Sequence, residues 1–116
     1  MPIDRAAEDR FRREVWIRDK GLDRATGRPL ERSSDNPHVK GEVCHLKPKG
    51  PYPELRHVVS NAVLMSAENH RQSDARGGKK LQLIDPKTGE PATDASKPIL
   101  FRMCDRRGVV LWSRIK

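Results

Sequence analysis

The chain is short of cysteine, of aromatic side chains and of long apolar runs, and each shortage removes a class of protein. Its two cysteines, Cys44 and Cys104, stand 60 positions apart in 116 residues. That spacing makes no disulfide framework, and the chain reads as intracellular. The only aromatics are Phe11, Trp16, Tyr52, Phe101 and Trp112, and hydrophobic residues make up 34% of the chain. This is lean but sufficient for one core. The length leaves no room for a second independent one, so residues 1–116 are expected to form a single domain. No apolar stretch approaches the ~18 residues of a transmembrane helix. The first twenty residues alternate charges with small apolar groups, unlike a secretory signal. Internal repeats and low-complexity tracts are absent too.

What is abundant is positive charge. Lysine and arginine total 24 against 16 aspartate and glutamate, a net charge of +8. A small basic domain most often meets a polyanion, and nucleic acid is the first expectation. Charge alone is sequence-blind, so the residues must say more.

Residues 4–19 read as a helix, with Asp4 as N-cap and Gly21 as the stop. Ala7, Phe11 and Val15 are spaced four apart and form an apolar stripe with Trp16 beside it. The charged residues Glu8, Asp9, Arg10, Arg12, Arg13 and Glu14 read as a solvated face. A turn-rich stretch over 21–40 leads to a strand at about 41–46 and a proline-rich loop over 47–60. A second strand is expected at 62–65, then a helix over about 67–75 capped by Ser66. Strands at 80–84, 99–103 and 109–113 complete an antiparallel β-meander, with a tight turn at Asp105-Arg106-Arg107-Gly108.

Chemistry-bearing side chains gather in the strand, loop, strand, helix unit over about 41–75. His45 closes its first strand, Asn61 opens its second, and His70 sits on its helix. Asp74 lies four residues past His70, so both project from one helix face. A histidine and a carboxylate at that spacing suit a divalent metal. Lys47, Lys49 and Arg56 in the loop, Arg71 beside His70, and Arg76, Lys79 and Lys80 beyond the helix flank this unit as phosphate contacts. His38 and His57 read as exposed loop residues, His57 as a phosphate contact at most.

At this point the chain resembles the HNH endonuclease family. The matching pieces are Trp16-Ile17-Arg18-Asp19, Thr26-Gly27-Arg28-Pro29-Leu30, Val43-Cys44-His45-Leu46-Lys47-Pro48, Ser60-Asn61-Ala62-Val63-Leu64-Met65 and Asn69-His70, within residues 14–74. The resemblance implies an α+β fold: a ββα-metal core with an N-terminal helix and a C-terminal meander. It implies a metal-dependent DNA endonuclease of a bacterial or phage-infected cell's cytoplasm, leaving 5′-phosphate and 3′-hydroxyl ends. His45 would be the general base, and Asn61 would orient it through a hydrogen bond and pin the loop. His70 and Asp74 would hold one divalent ion, Mg2+ or Mn2+, with Zn2+ as another choice. Nothing resembles a sequence-reading helix, so specificity would be low or supplied by a protein partner. Two other readings stand beside it: a catalytically inactive HNH-like module that only binds nucleic acid, and an unrelated basic nucleic-acid-binding protein.

The chain departs from the family in two places. Many members bind a structural zinc through two Cys-x2-Cys pairs, and here those positions read Asp23, Thr26, Ser66 and Asn69. All four are small polar residues, which implies a version without structural zinc, held by hydrogen bonds from Asp23 or Thr26 to Ser66 or Asn69. The second departure is Cys44, at a position where the family often places a hard metal ligand. Its thiol is either a soft ligand or a small buried hydrophobe. Glu42, two residues away on the same strand face, is a reserve ligand.

Overall fold

The first helix forms where the apolar stripe and the cap coincide. In the computed structural model, which describes residues 4–30, 42–73 and 80–116, α1 runs Arg5–Arg18. The Asp4 carboxylate accepts the Ala7 N–H at 3.2 Å. Phe11 and Val15 are buried, while Asp9, Arg10, Arg13 and Glu14 face solvent. The chain leaves the helix through two left-handed residues, Lys20 at φ 58° and Gly21 at φ 68°. Only glycine fits the second, because a Cβ there would meet the Trp16 ring at 2.8 Å.

Strands β1 (Glu42–His45) and β2 (Ala62–Met65) form a two-stranded antiparallel ribbon in which Cys44 pairs with Val63 and His45 with Ala62. Side chains alternate across it. Val43, Ala62 and Leu64 pack with Phe11 and Val15 of α1. Cys44, Val63 and Met65 pack with Leu81, Phe101 and Met103 on the other side. The single core expected from composition is thus two apolar clusters separated by a ribbon one strand thick. This explains why all four residues of β2 are buried.

Helix α2 (Ala67–Ser73) follows at once, its start capped by the Ser66 Oγ, which accepts the Asn69 N–H at 3.1 Å. Strands β3 (Lys80–Ile84), β4 (Leu100–Cys104) and β5 (Val110–Ile115) form an antiparallel sheet in chain order. The turn between β4 and β5 has Gly108 at φ 82°. There the Asp105 carboxylate accepts the N–H groups of Arg107 and Val109 at 2.8 and 2.9 Å. The last two strands start one residue later than expected, and the register between them slips at Met103 and Cys104. The fold is therefore mixed α+β, with two helices and two small antiparallel sheets among the described residues. No helix among those residues is long and apolar enough to cross a membrane.

A buried carboxylate, Asp19 at the end of α1, joins these parts. It accepts the Leu64 N–H at 2.8 Å and binds the guanidinium groups of Arg18 and Arg24 at 2.9 and 3.1 Å. Arg18 continues to the carbonyl of Val59, and Arg24 to that of Ala95, so one charge cluster ties helix, ribbon and C-terminal segment.

Candidate active site

Three prolines constrain the backbone of the loop over 47–60: Pro48, Pro51 and Pro53 lack an N–H, and Gly50 separates the first two.

 They keep this stretch from extending the ribbon. It folds instead into two short 3-10 turns, Pro53–Leu55 and Val59–Asn61. Asn61 therefore closes a turn immediately before β2 rather than opening the strand. Its side chain is 3% exposed. The amide oxygen accepts the Lys47 N–H at 3.0 Å, and the amide nitrogen donates to the carbonyls of Lys47 and Leu55 at 3.1 and 3.4 Å. Asn61 thus pins the loop. The hydrogen bond expected from it to the His45 ring is absent among the described residues, because its amide is spent on loop backbone.

The His45 ring is held by other groups. Its Nε2 lies 2.9 Å from the Arg56 carbonyl oxygen. A carbonyl only accepts, so Nε2 carries the proton and, in the neutral ring, Nδ1 carries the lone pair. One face of the imidazole stacks on Phe11, with ring centroids 5.6 Å apart and planes 20° from parallel. Burial holds the His45 pKa below the ordinary 6.5, against the Arg56 carbonyl, which favours the charged ring, and the Lys49 charge acts with burial.

Cys44, His45, Lys49, His70 and Ser73 line one cleft of about 480 Å³, walled by Leu81 and Leu83 of β3. The structure thus brings the histidines of strand and helix to one opening. Cys44 is 5% exposed and packs in the apolar cluster under the C-terminal sheet. Its Sγ lies 3.6 Å from the Ser73 Oγ, which donates to the His70 carbonyl at 2.6 Å. No group of three or more His, Cys, Asp or Glu side chains gathers to hold a metal among the described residues. Asp74, Arg76, Lys79 and His38 lie outside those residues, as does the side chain of Glu42.

The basic residues divide. Lys47 places its Nζ 5.3 Å from the centre of the Tyr52 ring. Lys49, Arg71 and Lys80 are exposed. Arg56 is half-buried, its guanidinium Nε 3.9 Å from the Glu8 carboxylate, and its carbonyl is the group that meets His45.

Two expectations need correction. His57 is not an exposed loop residue: its side chain is 29% exposed, and its Nε2 donates to the Glu8 carboxylate at 2.6 Å. Glu8 and Arg12 likewise do not belong to a solvated face, since they pair at 3.1 Å beside that contact. Burial alone would raise the Glu8 carboxyl, but the hydrogen bond from His57 and the Arg12 charge outweigh it and hold the carboxyl below its ordinary 4.5. Sequence reasoning missed this pair, although Glu8, Phe11, Arg12 and Val15 share one helix face by their spacing.

The positions that carry cysteine in the resembled family also meet. Asp23, 2% exposed, accepts the Ser66 N–H at 3.0 Å and the Asn69 side-chain amide at 2.8 Å. Its other oxygen accepts the N–H groups of Ala25 and Thr26 at 2.8 and 3.3 Å. The hydrogen bonds expected from Asp23 to Ser66 and Asn69 are therefore present. Comparison with known protein families, with curated proteins and with solved structures found no match to this chain.

Proposed function

We propose that the chain is a metal-dependent DNA endonuclease of the HNH type, built on a ββα-metal core, that hydrolyses phosphodiester bonds to leave 5′-phosphate and 3′-hydroxyl ends. The observation that carries this reading is the state of His45. Its ring has one nitrogen committed to a carbonyl, its pKa lies below the ordinary value, and it lines a cleft shared with His70 and Lys49. A neutral imidazole with a free Nδ1 lone pair is a general base at neutral pH.

In this mechanism Nδ1 of His45 takes the proton of a water that attacks the phosphorus. The Arg56 carbonyl and the Phe11 ring keep the imidazole in one tautomer and one orientation. Asn61 holds the loop that presents the carbonyl, and Lys47 and Lys49 contact the phosphates of the strand. His70 lines the cleft, and its imidazole together with the carboxylate of Asp74, four residues on in sequence, would supply a nitrogen and oxygen donor set suited to Mg2+ or Mn2+. When bound, such an ion supplies charge stabilisation at the scissile phosphate and the leaving 3′ oxygen. Cys44, packed in the core, is left out of this donor set.

The test is plasmid nicking with Mg2+ or Mn2+ by the parent protein and by His45→Ala. The variant is expected to lose on the order of 10²–10⁴-fold in rate, the usual worth of a general base, with DNA binding retained. Equal rates overturn the assignment of the base. DNA binding without any metal-dependent nicking by the parent overturns the nuclease reading in favour of an inactive binding module.

A further inference from the structure

The group that orients His45 belongs to a loop with little regular structure to hold it. Between Leu46 and Ala62 the chain makes no ladder, and the segment carrying Arg56 consists of a single 3-10 turn. One end of this loop is clamped by Asn61 at Lys47 and Leu55. The other end is clamped from outside the ribbon and its helix. Residue 57, next to the carbonyl that meets His45, places its ring against α1, where its Nε2 donates to Glu8 at 2.6 Å. The Phe11 ring contacts both histidines, its centroid 5.6 Å from that of His45 and 5.7 Å from that of His57. Glu8 is held in place in turn by Arg12, one helical turn on.

We propose that Glu8 of α1 is a positioning residue for His45, acting through His57 to fix the Arg56 carbonyl. The proposal rests on the nuclease reading for its catalytic consequence, while its structural half concerns the His45 ring alone. Without the Glu8–His57 hydrogen bond, Arg56 and His57, beyond the Asn61 clamp at Leu55, keep only the longer Arg56–Glu8 pair at 3.9 Å as a polar tie to α1 among the described residues, and the Arg56 carbonyl no longer selects the Nε2–H tautomer. The lone pair then moves between the two nitrogens, and only one placement serves a water in the cleft. Misplacement of a reacting group by about 1 Å costs on the order of 10²-fold in rate. Glu8 itself touches neither substrate nor reacting atoms in this scheme.

The substitutions are Glu8→Ala, Glu8→Gln and His57→Phe. Glutamine keeps an oxygen that accepts the His57 N–H. Phenylalanine keeps the packing against Phe11 and removes the donor, which leaves a testable variant if Glu8→Ala fails to fold. The readouts are 15N NMR of the His45 ring and steady-state nicking with kcat separated from KM. In Glu8→Ala and His57→Phe, the His45 ring is expected to pass from one dominant tautomer to a mixture. Their kcat should fall ~10–100-fold. KM should stay level or fall for Glu8→Ala, since removing an anion favours DNA binding. Glu8→Gln should recover most of kcat, and Glu8→Ala combined with His57→Phe should be no worse than either alone, as expected of residues acting as one unit. An unchanged His45 tautomer in both Glu8→Ala and His57→Phe overturns the proposal whatever the activity does. A parent protein without nicking activity overturns the nuclease reading instead, and the NMR comparison still decides the link from Glu8 to His45.

Discussion

In the proposed mechanism His45 must stay neutral to act as the base, and burial in a protein of net charge +8 favours that state. The consequence for pH follows from the direction of the shift. A folded-state pKa below 6.5 means that the ring remains unprotonated at pH values where a free imidazole is already charged. The acid limb of kcat/KM against pH, which reports the free enzyme, is therefore expected to break below 6.5. Lys49 contributes to the lowering, so Lys49→Ala should move that break upward, toward 6.5. Stability has the same sign. Between the folded pKa and 6.5 the unfolded chain binds more protons at this residue, so the contribution of His45 is whole above 6.5 and is lost as pH falls through that window. A limb that breaks above 6.5 in the parent would assign the base elsewhere.

At the scale of elements, the corner after α1 and the turn before β5 both use glycine with positive φ, but for different reasons. At Gly108, φ is 82° and a Cβ would meet nothing within 4 Å, so Gly108→Ala should cost only the backbone strain, ~1–2 kcal/mol. At Gly21 the same strain is joined by a Cβ 2.8 Å from the Trp16 ring, and Gly21→Ala should cost more. Thermal or denaturant unfolding of the two variants checks the order, and a Gly108 variant less stable than the Gly21 variant would refute it. Local pattern made most elements legible. The stripe of α1, the apolar run of β2 and the cap at Ser66 each depend on neighbours within a few residues. The Asp23 hydrogen bonds were legible through the resemblance alone, which singled out Asp23, Thr26, Ser66 and Asn69 as four positions that belong together. The Glu8–His57 contact was not, since its partners stand 49 residues apart and the loop between them has no period to read. The role of Arg56 was hidden for a further reason: a backbone carbonyl leaves no trace in residue type.

Over the whole molecule, the question is what joins the turn after α1 to the start of α2. Asp23 does this with one buried carboxylate that receives two N–H groups of its own turn and two from Ser66 and Asn69, across 43 and 46 residues of sequence. The turn also closes on itself, with the Gly27 N–H donating to the Asp23 carbonyl at 2.7 Å, and the Arg24 N–H reaches the Leu64 carbonyl at 2.8 Å. A junction made from hydrogen bonds needs no thiolate and no metal for its strength, whereas a zinc-nucleated fold unfolds when its ion is removed. Chelator should therefore leave the melting temperature almost unchanged, while under the proposed nuclease function it stops nicking. Asp23→Ala should do the reverse to the fold, because each buried donor left without an acceptor costs about 1–3 kcal/mol. Even a loss of ~2 kcal/mol lowers the melting temperature by roughly 8 °C in a domain near this size. Asp23→Asn keeps the volume but turns a donor toward groups that already donate, so it too should destabilise. The measurement is thermal unfolding of parent and both variants, with and without chelator, alongside metal content of the parent. A large chelator-induced drop in the parent, with release of one tightly held zinc, would show that hydrogen bonds at Asp23 are not what holds this junction together.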